Sequence, residues 1–251
     1  MAQNKPFPNE NMLRHALGDL DLFLYPVIDS TNDEAKRLIK SGTTPPFLVA
    51  ANEQTHGRGR QGKSFYSPAD TGIYMSLVLS FSDGESISKI TVIASVAVCK
   101  AIEKLTGLKP EIKWVNDVYL NGKKICGILC ESVIGGTDLT PVIIGVGLNL
   151  STTDFPEEIK NAGSLFSDIS RERLICEIVS ELTALSGVEL NAVLSYYREH
   201  SLILGKEISF VINGVSQKGT AVDVDSSGAL VVRKSDGSLT ALNSLFSITD
   251  Y

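Results

Sequence analysis

The chain has 251 residues, a length that suits one large domain or one domain with a small addition. Its composition, 43% hydrophobic and 21% charged, is typical of a globular protein and excludes a disordered, collagen-like or coiled-coil chain. With 23 basic and 29 acidic residues the net charge is −6, so the chain lacks the broad positive field on which non-specific nucleic-acid binders depend. We therefore expect a folded, acidic protein with no nucleic-acid partner.

The N-terminal segment does not indicate export. MAQNKPFPNENML lacks the charged and then apolar order of a signal peptide. The apolar run ITVIASVAV, residues 90–98, is far shorter than the ~18 residues of a membrane-spanning helix. We therefore predict a cytoplasmic protein with no membrane partner.

The first half of the chain alternates strand and helix patterns. Residues 1–20 are polar and rich in Pro and Asn, which predicts an irregular lead-in. The run from Thr31 to Glu34 has the spacing of a capping box, which predicts the start of a helix that ends at Gly42. The predicted elements are, in order, a strand at 21–28, this helix, a strand at 47–52, a polar loop to residue 70, a strand at 73–81 and a helix at 88–105.

After residue 110 the patterns predict mainly strands. Asn121-Gly122 lies between two β-rich runs and is a strong hairpin signal. A strand follows at 141–150, and residues 171–200 are predicted to be helical with a break near Gly187. After Gly205, short strands separated by tight turns predict a small β-barrel, with the turns at Asn213-Gly214, Ser227-Gly228 and Asp236-Gly237. The chain is thus predicted to be α/β, with one domain at 1–204 and the barrel at 205–251.

The four cysteines are typical of a protein in a reducing compartment. If CGILC lies in a strand, Cys126 and Cys130 are about 13 Å apart, which is too far for a disulfide. As metal ligands they would need a second pair nearby, and neither Cys99, Cys176 nor the histidines form one. We predict buried free thiols and no metal ligands among the residues of the protein.

The loop GRGRQGKS at residues 57–64 has the spacing of a phosphate-binding P-loop. A P-loop must open a helix, but here FYSPADTGIY follows, with Pro68 and Gly72. Three glycines still allow close backbone approach, and two arginines and a lysine concentrate positive charge. The loop is therefore predicted to bind an anionic ligand, phosphate above all, with a solvated basic loop as the alternative.

Five segments, taken in order, resemble the biotin protein ligase family. They are DSTN at 29–32, QTHGRGRQG at 54–62, KWVND at 113–117, GKKICGIL at 122–129 and GVGLN at 145–149. The chain has Val115 where the family usually has proline, a departure that removes no functional side chain. The resemblance implies a class II aminoacyl-tRNA synthetase-like α/β (α+β) catalytic domain followed by an SH3-like barrel.

The same resemblance implies a two-step reaction. ATP, with Mg²⁺, activates the carboxylate of biotin as biotinyl-5′-adenylate with release of pyrophosphate. The biotinyl group then passes to one lysine of the biotin carboxyl carrier domain of a carboxylase. About 20–25 residues precede the catalytic region, too few for a helix-turn-helix module, so we expect a monofunctional ligase. The family pattern is compatible with a monomer or a homodimer.

The resemblance also assigns candidate site residues. Lys124, Asp117 and Arg58 are the expected catalytic residues, with Lys124 at the carboxyl of biotin and Asp117 at the acceptor lysine. The residues expected to bind biotin are Ser30, Thr31, Asn32, Gln54, Gly57, Arg58, Gly59, Arg60, Trp114, Lys124 and Gly127. The residues expected to bind ATP or the adenylate are Arg58, Arg60, Lys63, Lys113, Asn116 and Asn149.

These side chains also suit structural roles. Ser30 and Thr31 are good helix caps, Trp114 is by default a core aromatic, and Asn149 could simply end a strand. Two other functions share parts of the pattern: a lipoate ligase of the same fold and a DNA-binding repressor that responds to biotin. The glycine and arginine loop argues against a lipoate ligase, and the net charge of −6 argues against a DNA-binding repressor.

Overall fold

The computed structural model describes residues 9–133, 138–212, 215–243, 246 and 248–250. Its helices are α1 (Glu10–Leu17), α2 (Thr31–Lys40), α3 (Ile87–Thr106), α4 (Arg171–Ser186) and α5 (Leu190–Glu199). Its strands are β1 (Asp21–Ile28), β2 (Phe47–Gln54), β3 (Gly72–Ser82), β4 (Glu111–Lys113), β5 (Asp117–Leu120), β6 (Lys123–Ser132), β7 (Leu139–Asn149), β8 (Glu207–Ile212), β9 (Val215–Val224), β10 (Leu230–Arg233), β11 (Leu239–Leu242) and β12 (Ile248–Asp250). The predicted mixed α/β class is confirmed.

Seven strands form one sheet with the order β1-β2-β3-β7-β6-β5-β4. β1 and β2 are parallel, and every other neighbouring pair is antiparallel. The predicted hairpin at Asn121-Gly122 is confirmed between β5 and β6, and both turn residues have positive φ, at 51° and 73°. This order places β7 next to β3, although the two strands are distant in the sequence, and β6 follows on the other side of β7.

Helices cover both faces of this sheet. Alternation along β2 sends Leu48 into the cluster that contains α3. It sends Phe47 and Val49 into a second cluster with Ala35 of α2 on the opposite face. α3 is buried nearly all round because α4 and α5 pack against it from the side away from the sheet.

The prediction of an irregular lead-in is wrong for residues 10–17, which form α1. Asn9 caps this helix through a hydrogen bond that its side chain accepts from the backbone N–H of Met12. Leu13 is fully buried, and the backbone N–H of Asn9 donates to Glu172 of α4 at 3.0 Å. Contacts with α4 stabilise a helix that is too short to persist by itself, so local composition did not reveal it.

α2 is confirmed, but its cap lies one residue before the predicted capping box. Ser30 has extended backbone angles, and its hydroxyl accepts from the N–H of Asp33. Thr31 is therefore the first helical residue, and its side chain is free of the capping role. The Ser30 hydroxyl is an acceptor in the cap, which leaves its O–H free to donate.

The residues after Gly205 form a second, five-stranded antiparallel sheet with the order β11-β10-β9-β8-β12. Two of its predicted turns are confirmed by positive φ at Gly228 and Gly237, whereas the predicted turn at Asn213-Gly214 lies outside the described residues. Trp114 Nε1 donates to the carbonyl of Gly228 at 3.1 Å and joins this sheet to the larger one. None of the helices within the described ranges has the length and apolar character needed to cross a bilayer.

All four cysteines are free, as predicted, but only three are buried. Cys99, Cys126 and Cys130 are inside the core, whereas Cys176 on α4 is only half-buried, so the prediction of burial is wrong for that residue. Burial raises the pKa of the Cys130 thiol to about 12 and that of Cys99 well above its ordinary value. Among the described residues, no group of His, Cys, Asp or Glu side chains could hold a metal ion.

In the native protein, we expect Ellman's reagent to react rapidly with the thiol of Cys176 at most, and with none of the other three thiols. The thiolate is the reactive form, and the buried thiols are both neutral and out of reach. The released thionitrobenzoate should rise from at most one equivalent in buffer to four in denaturant. Rapid release of a second equivalent from the native protein would contradict this burial.

Candidate ligand-binding site

A cavity of about 230 Å³ lies where the larger sheet, the loop at residues 57–64 and the C-terminal sheet meet. The predicted site residues on its wall are Ser30, Thr31, Asn32, Gln54, Arg58, Gly59, Arg60, Lys63, Lys113, Trp114, Asn116, Asp117, Lys124 and Gly127. Segments that are up to 97 residues apart in the sequence thus meet at one place. Two predicted residues, Gly57 and Asn149, are not on the wall.

One end of the cavity is a hydrogen-bonded polar wall formed by Thr31, Asn32 and Gln54. Gln54 Oε1 accepts from the backbone N–H and the hydroxyl of Thr31, at 2.9 and 3.2 Å. The hydroxyl of Ser76 lies 2.8 Å from Thr31 Oγ1 and donates to Asn32 Oδ1 at 2.6 Å. Since these side chains hold one another, their donors and acceptors have defined directions in the wall.

Glycines on β7 allow the close packing behind this wall. A Cβ atom at Gly147 would lie 2.7 Å from the ring of Phe65, and one at Gly145 would collide with the side-chain amide of Asn32. The glycines of GVGLN therefore make room for Phe65 and Asn32. Phe65, which lines the cavity with Met75, is an apolar contact that the sequence did not reveal.

Residues 57–64, which we call the arginine loop, fold back on themselves. The N–H of Gly59 donates to the carbonyl of Lys63 at 2.7 Å, and that of Phe65 donates to Gly57 at 2.8 Å. A short 3₁₀ turn at Arg60–Gly62 lies at the tip. Gly57 is buried, and a Cβ there would collide with the carbonyl of Phe65, so this glycine shapes the loop rather than the wall.

The two arginines of the loop point to opposite sides of the cavity. Arg58 donates to Asp33 at 2.6 Å and, through both terminal nitrogens, to Glu131 at 3.1 Å. Arg60 donates to Asn116 Oδ1 at 2.7 Å and to the carbonyl of Phe246 at 3.1 Å. Burial lowers the pKa of Arg60 while Asp117 acts in the opposite direction, and an arginine stays charged at neutral pH under such a shift.

Lys124 and Asp117, both predicted to be catalytic, form an ion pair. Lys124 Nζ lies 2.8 Å from Asp117 Oδ1, and both side chains are partly exposed to the cavity, at 33% and 23%. The pair arises because β5 and β6 are adjacent in register, with Asp117 opposite Gly127. The absence of a side chain at Gly127 leaves space that the end of the Lys124 side chain fills.

The segment from Lys113 to Asn116 combines structural and wall positions. Trp114 is 4% exposed and bonded to the C-terminal sheet, as a core aromatic would be, yet it also lines the cavity. Asn116 accepts from Arg60 and donates to the carbonyl of Ile128 at 3.0 Å. Trp114 is therefore a core aromatic that also lines the cavity, and its contact with biotin stays a prediction.

Asn149 lies at the end of β7 and away from the wall. Its Nδ2 donates to the carbonyl of Gly163 at 3.0 Å, and its buried Oδ1 has no hydrogen-bond partner among the described residues. The C-terminal sheet, in contrast, reaches the cavity through Phe246 and Ile248, which the sequence did not indicate. Arg60 meets the carbonyl of Phe246 across a separation of 186 residues, a distance over which no local pattern operates.

Comparison with known proteins gives two family matches. Residues 24–149 match the biotin/lipoate A/B protein ligase family, and residues 203–244 match the biotin protein ligase C terminal domain. A biotin–[acetyl-CoA-carboxylase] ligase of Mycobacterium tuberculosis is 30% identical over 217 residues, which cover 80% of this chain and 79% of that protein. The bifunctional ligase/repressor BirA of Bacillus spizizenii is 38% identical over 151 residues, 59% of this chain.

This chain spans about half the length of the two Bacillus relatives, 46% and 48%. Among solved structures, a biotin protein ligase from Aquifex aeolicus in complex with biotin and ATP has a TM-score of 0.79 at 25% identity. The match covers 92% of this chain and 99% of that one. The similarity therefore extends over both sheets.

Proposed function

The chain belongs to the biotin/lipoate A/B protein ligase family, and from this premise we propose that it is an ATP-dependent biotin protein ligase. One observation carries the proposal: a single cavity holds a neutral polar wall and five cationic side chains. The cations are Arg58, Arg60, Lys63, Lys113 and Lys124. The match of residues 203–244 to the biotin ligase C terminal domain favours biotin over lipoate as the substrate.

In the proposed complex, biotin occupies the end of the cavity at the polar wall. The ureido ring has one carbonyl acceptor and two N–H donors, which suit the mixed donors and acceptors of Thr31, Asn32 and Gln54. Ser30 and Gly59 shape this end of the cavity, and Gly57 shapes the arginine loop beside it. The aliphatic chain of biotin lies along Phe65 and Trp114, where burial of apolar surface favours binding.

ATP occupies the cationic end of the cavity. The proposed phosphate contacts come from Arg58, Arg60, Lys63 and Lys113, and Asn116 holds Arg60 in direction. Mg²⁺ supplied with ATP would lower the repulsion between the phosphates, and no group of His, Cys, Asp or Glu side chains in the described part of the chain would hold the ion. The contact of Asn149 with adenine stays a prediction. Its buried Oδ1 supports that prediction, because this acceptor suits the amino group of the base.

The first chemical step joins two anions. A carboxylate oxygen of biotin attacks the α-phosphorus of ATP, the bond from that phosphorus to the bridging oxygen breaks, and pyrophosphate leaves. Lys124 and the arginines offset the negative charge that accumulates as the reactants approach. The product is biotinyl-5′-adenylate, a mixed anhydride that the arginine loop shields from water.

The second step transfers the biotinyl group. The uncharged amine of an acceptor lysine attacks the carbonyl carbon of the adenylate, AMP leaves, and the amide keeps biotin attached. Asp117 orients the amine and accepts its proton. We propose a biotin carboxyl carrier domain as the partner and the cytoplasm as the location. We also propose residues 1–204 as the catalytic domain and residues 205–251 as the barrel domain.

The test is incubation of the full chain with biotin, ATP and Mg²⁺, followed by mass analysis for biotinyl-5′-adenylate. A parallel reaction with lipoate serves as the specificity control. We expect the biotin adenylate alone, and transfer when a biotin carboxyl carrier domain is added. Formation of lipoyl-adenylate without the biotin product would contradict the proposal.

Arg58→Gly is expected to increase biotinylation of bystander proteins by about tenfold, because the loop loses its charge-assisted bonds to Asp33 and Glu131 and releases adenylate. The measurement compares labelling of serum albumin by the variant and the wild type at matched biotin and ATP. Arg14→Ala, which removes an exposed arginine on α1, is the control and should label like the wild type. If Arg58→Gly makes adenylate but labels albumin no faster, the loop does not retain the intermediate.

A further inference from the structure

Glu131, at the end of β6, is bonded to both sides of the cavity, yet the proposed reaction gives it no role. Its Oε2 accepts from Asn32 Nδ2 at 2.9 Å, and its Oε1 accepts from Lys36 Nζ at 2.8 Å. Both oxygens also accept from Arg58, each at 3.1 Å. One carboxylate thus contacts the polar wall and the arginine loop at the same time.

On the wall side, the contact is with a buried side chain. Asn32 is 4% exposed, and its Oδ1 accepts from Ser76, whose hydroxyl also lies against Thr31. On the loop side, Arg58 is shared between Glu131 and Asp33 of α2. The contacts of Arg58 use part of its five N–H donors, so they can orient the guanidinium without occupying it fully.

We propose that Glu131 is a positioning residue, on the premise that the chain is a biotin protein ligase. Its carboxylate holds the arginine loop over the cavity through Arg58 and links that closure to the position of the Asn32 amide in the polar wall. Asn32 Nδ2 also donates to the carbonyl of Leu129 at 3.2 Å, so Glu131 supplies one of the bonds that fix the Asn32 amide. Because the same carboxylate holds Arg58, ligand binding at Asn32 and closure of the loop favour each other.

The charge of Glu131 is essential to this role. Burial acts to raise the pKa of Glu131, but hydrogen bonds from Lys36 and Asn32 hold it below its ordinary value, so the group is ionised at neutral pH. In Glu131→Gln, one carboxylate oxygen becomes an NH₂ group that would face Arg58, Lys36 or Asn32, all of which are donors there. The variant keeps the shape but loses the negative charge and one of the two acceptor oxygens.

The first experiment needs neither substrate. The loop contains three sites for trypsin, after Arg58, Arg60 and Lys63. In the ligand-free full chain, we expect trypsin to cleave the loop of Glu131→Gln about tenfold faster than that of the wild type. Asp33→Asn, which removes the other carboxylate on Arg58, should also accelerate cleavage.

The matched control is Glu34→Gln, which makes the same chemical change on α2. Its carboxylate accepts from Tyr25 and Arg37 rather than from the loop, so cleavage should proceed at the wild-type rate. Wild-type cleavage of both Glu131→Gln and Asp33→Asn would overturn the proposal. This result stands whether or not the chain makes biotinyl-adenylate, so the two proposals can fail separately.

The second experiment measures coupling in the reaction. Glu131→Gln should raise the KM for biotin and the rate of adenylate release about tenfold, with kcat for adenylate formation within about threefold of the wild type. Added to Arg58→Gly, it should increase release no further, because the loop contact is already absent. A full additional increase in the double variant would mean that Glu131 acts only on general stability, and would overturn the proposal.

Discussion

Lys124→Ala is expected to reduce the rate of biotinyl-5′-adenylate formation by about 10²–10³-fold, the range found when one group that stabilises developing charge is removed. The attacking carboxylate and the α-phosphate are both anions, and the Lys124 ammonium lies on the cavity wall with Asp117 as its partner. The measurement is single-turnover formation of biotinyl-adenylate from ATP at saturating biotin.

The neighbouring lysine provides a matched control. The Lys123 side chain is directed away from the cavity, where its Nζ donates to the carbonyl of Lys160 at 3.2 Å. Lys123→Ala should therefore form adenylate at nearly the wild-type rate. The backbone bonds of Lys124, its N–H to Asn161 and its carbonyl from Gly163, survive in both variants, so β6 should stay in place. Near-normal adenylate formation by Lys124→Ala would refute the assignment.

Asp117→Asn is expected to slow transfer from preformed adenylate by about 10²–10⁴-fold, the usual contribution of a general base. An asparagine keeps the size of the side chain but cannot accept the proton of the acceptor amine. It also leaves Lys124 without its ionic partner, so adenylate formation should fall as well, but less than transfer does. The measurement is single-turnover transfer to a carrier domain from adenylate bound to the enzyme.

Asp223→Asn is the control for this prediction. Asp223 pairs with Arg198 between the C-terminal sheet and α5, outside the cavity wall, so the same chemical change should leave transfer intact. Raising the pH should speed transfer by Asp117→Asn more than by the wild type, because more of the acceptor amine is then uncharged without help. Wild-type transfer by Asp117→Asn at neutral pH would exclude the role of base.

The C-terminal sheet has a definite part in the geometry of the cavity. Phe246 and Ile248 line the cavity, and the carbonyl of Phe246 accepts a hydrogen bond from Arg60. Trp114, which lies on the wall, is held by the carbonyl of Gly228 in the same sheet. The position of the cationic end of the cavity therefore depends on packing between the two sheets.

Much of the fold could be predicted because the signals are local. The alternation in β2 and β3, the helical spacing in α3 and the turn at Asn121-Gly122 operate within a few residues of one another. The sequence did not predict α1, because this helix is stabilised by the packing of Leu13 in the core rather than by the helix propensity of its residues. The helix cap was predicted at Thr31, one residue after its true position at Ser30, because the hydroxyl of either residue can cap a helix.

The amino-acid sequence by itself determined the chemistry that is available: the cations of the arginine loop, the KWVND segment and Lys124, at spacings that identify the family. Only the tertiary structure decided which side chains meet. The register of β6 against β5 pairs Lys124 with Asp117, and the loop packing joins Arg58 to Glu131 across 73 residues. Such contacts depend on strand order and on burial, which are properties of the whole core rather than of any short segment.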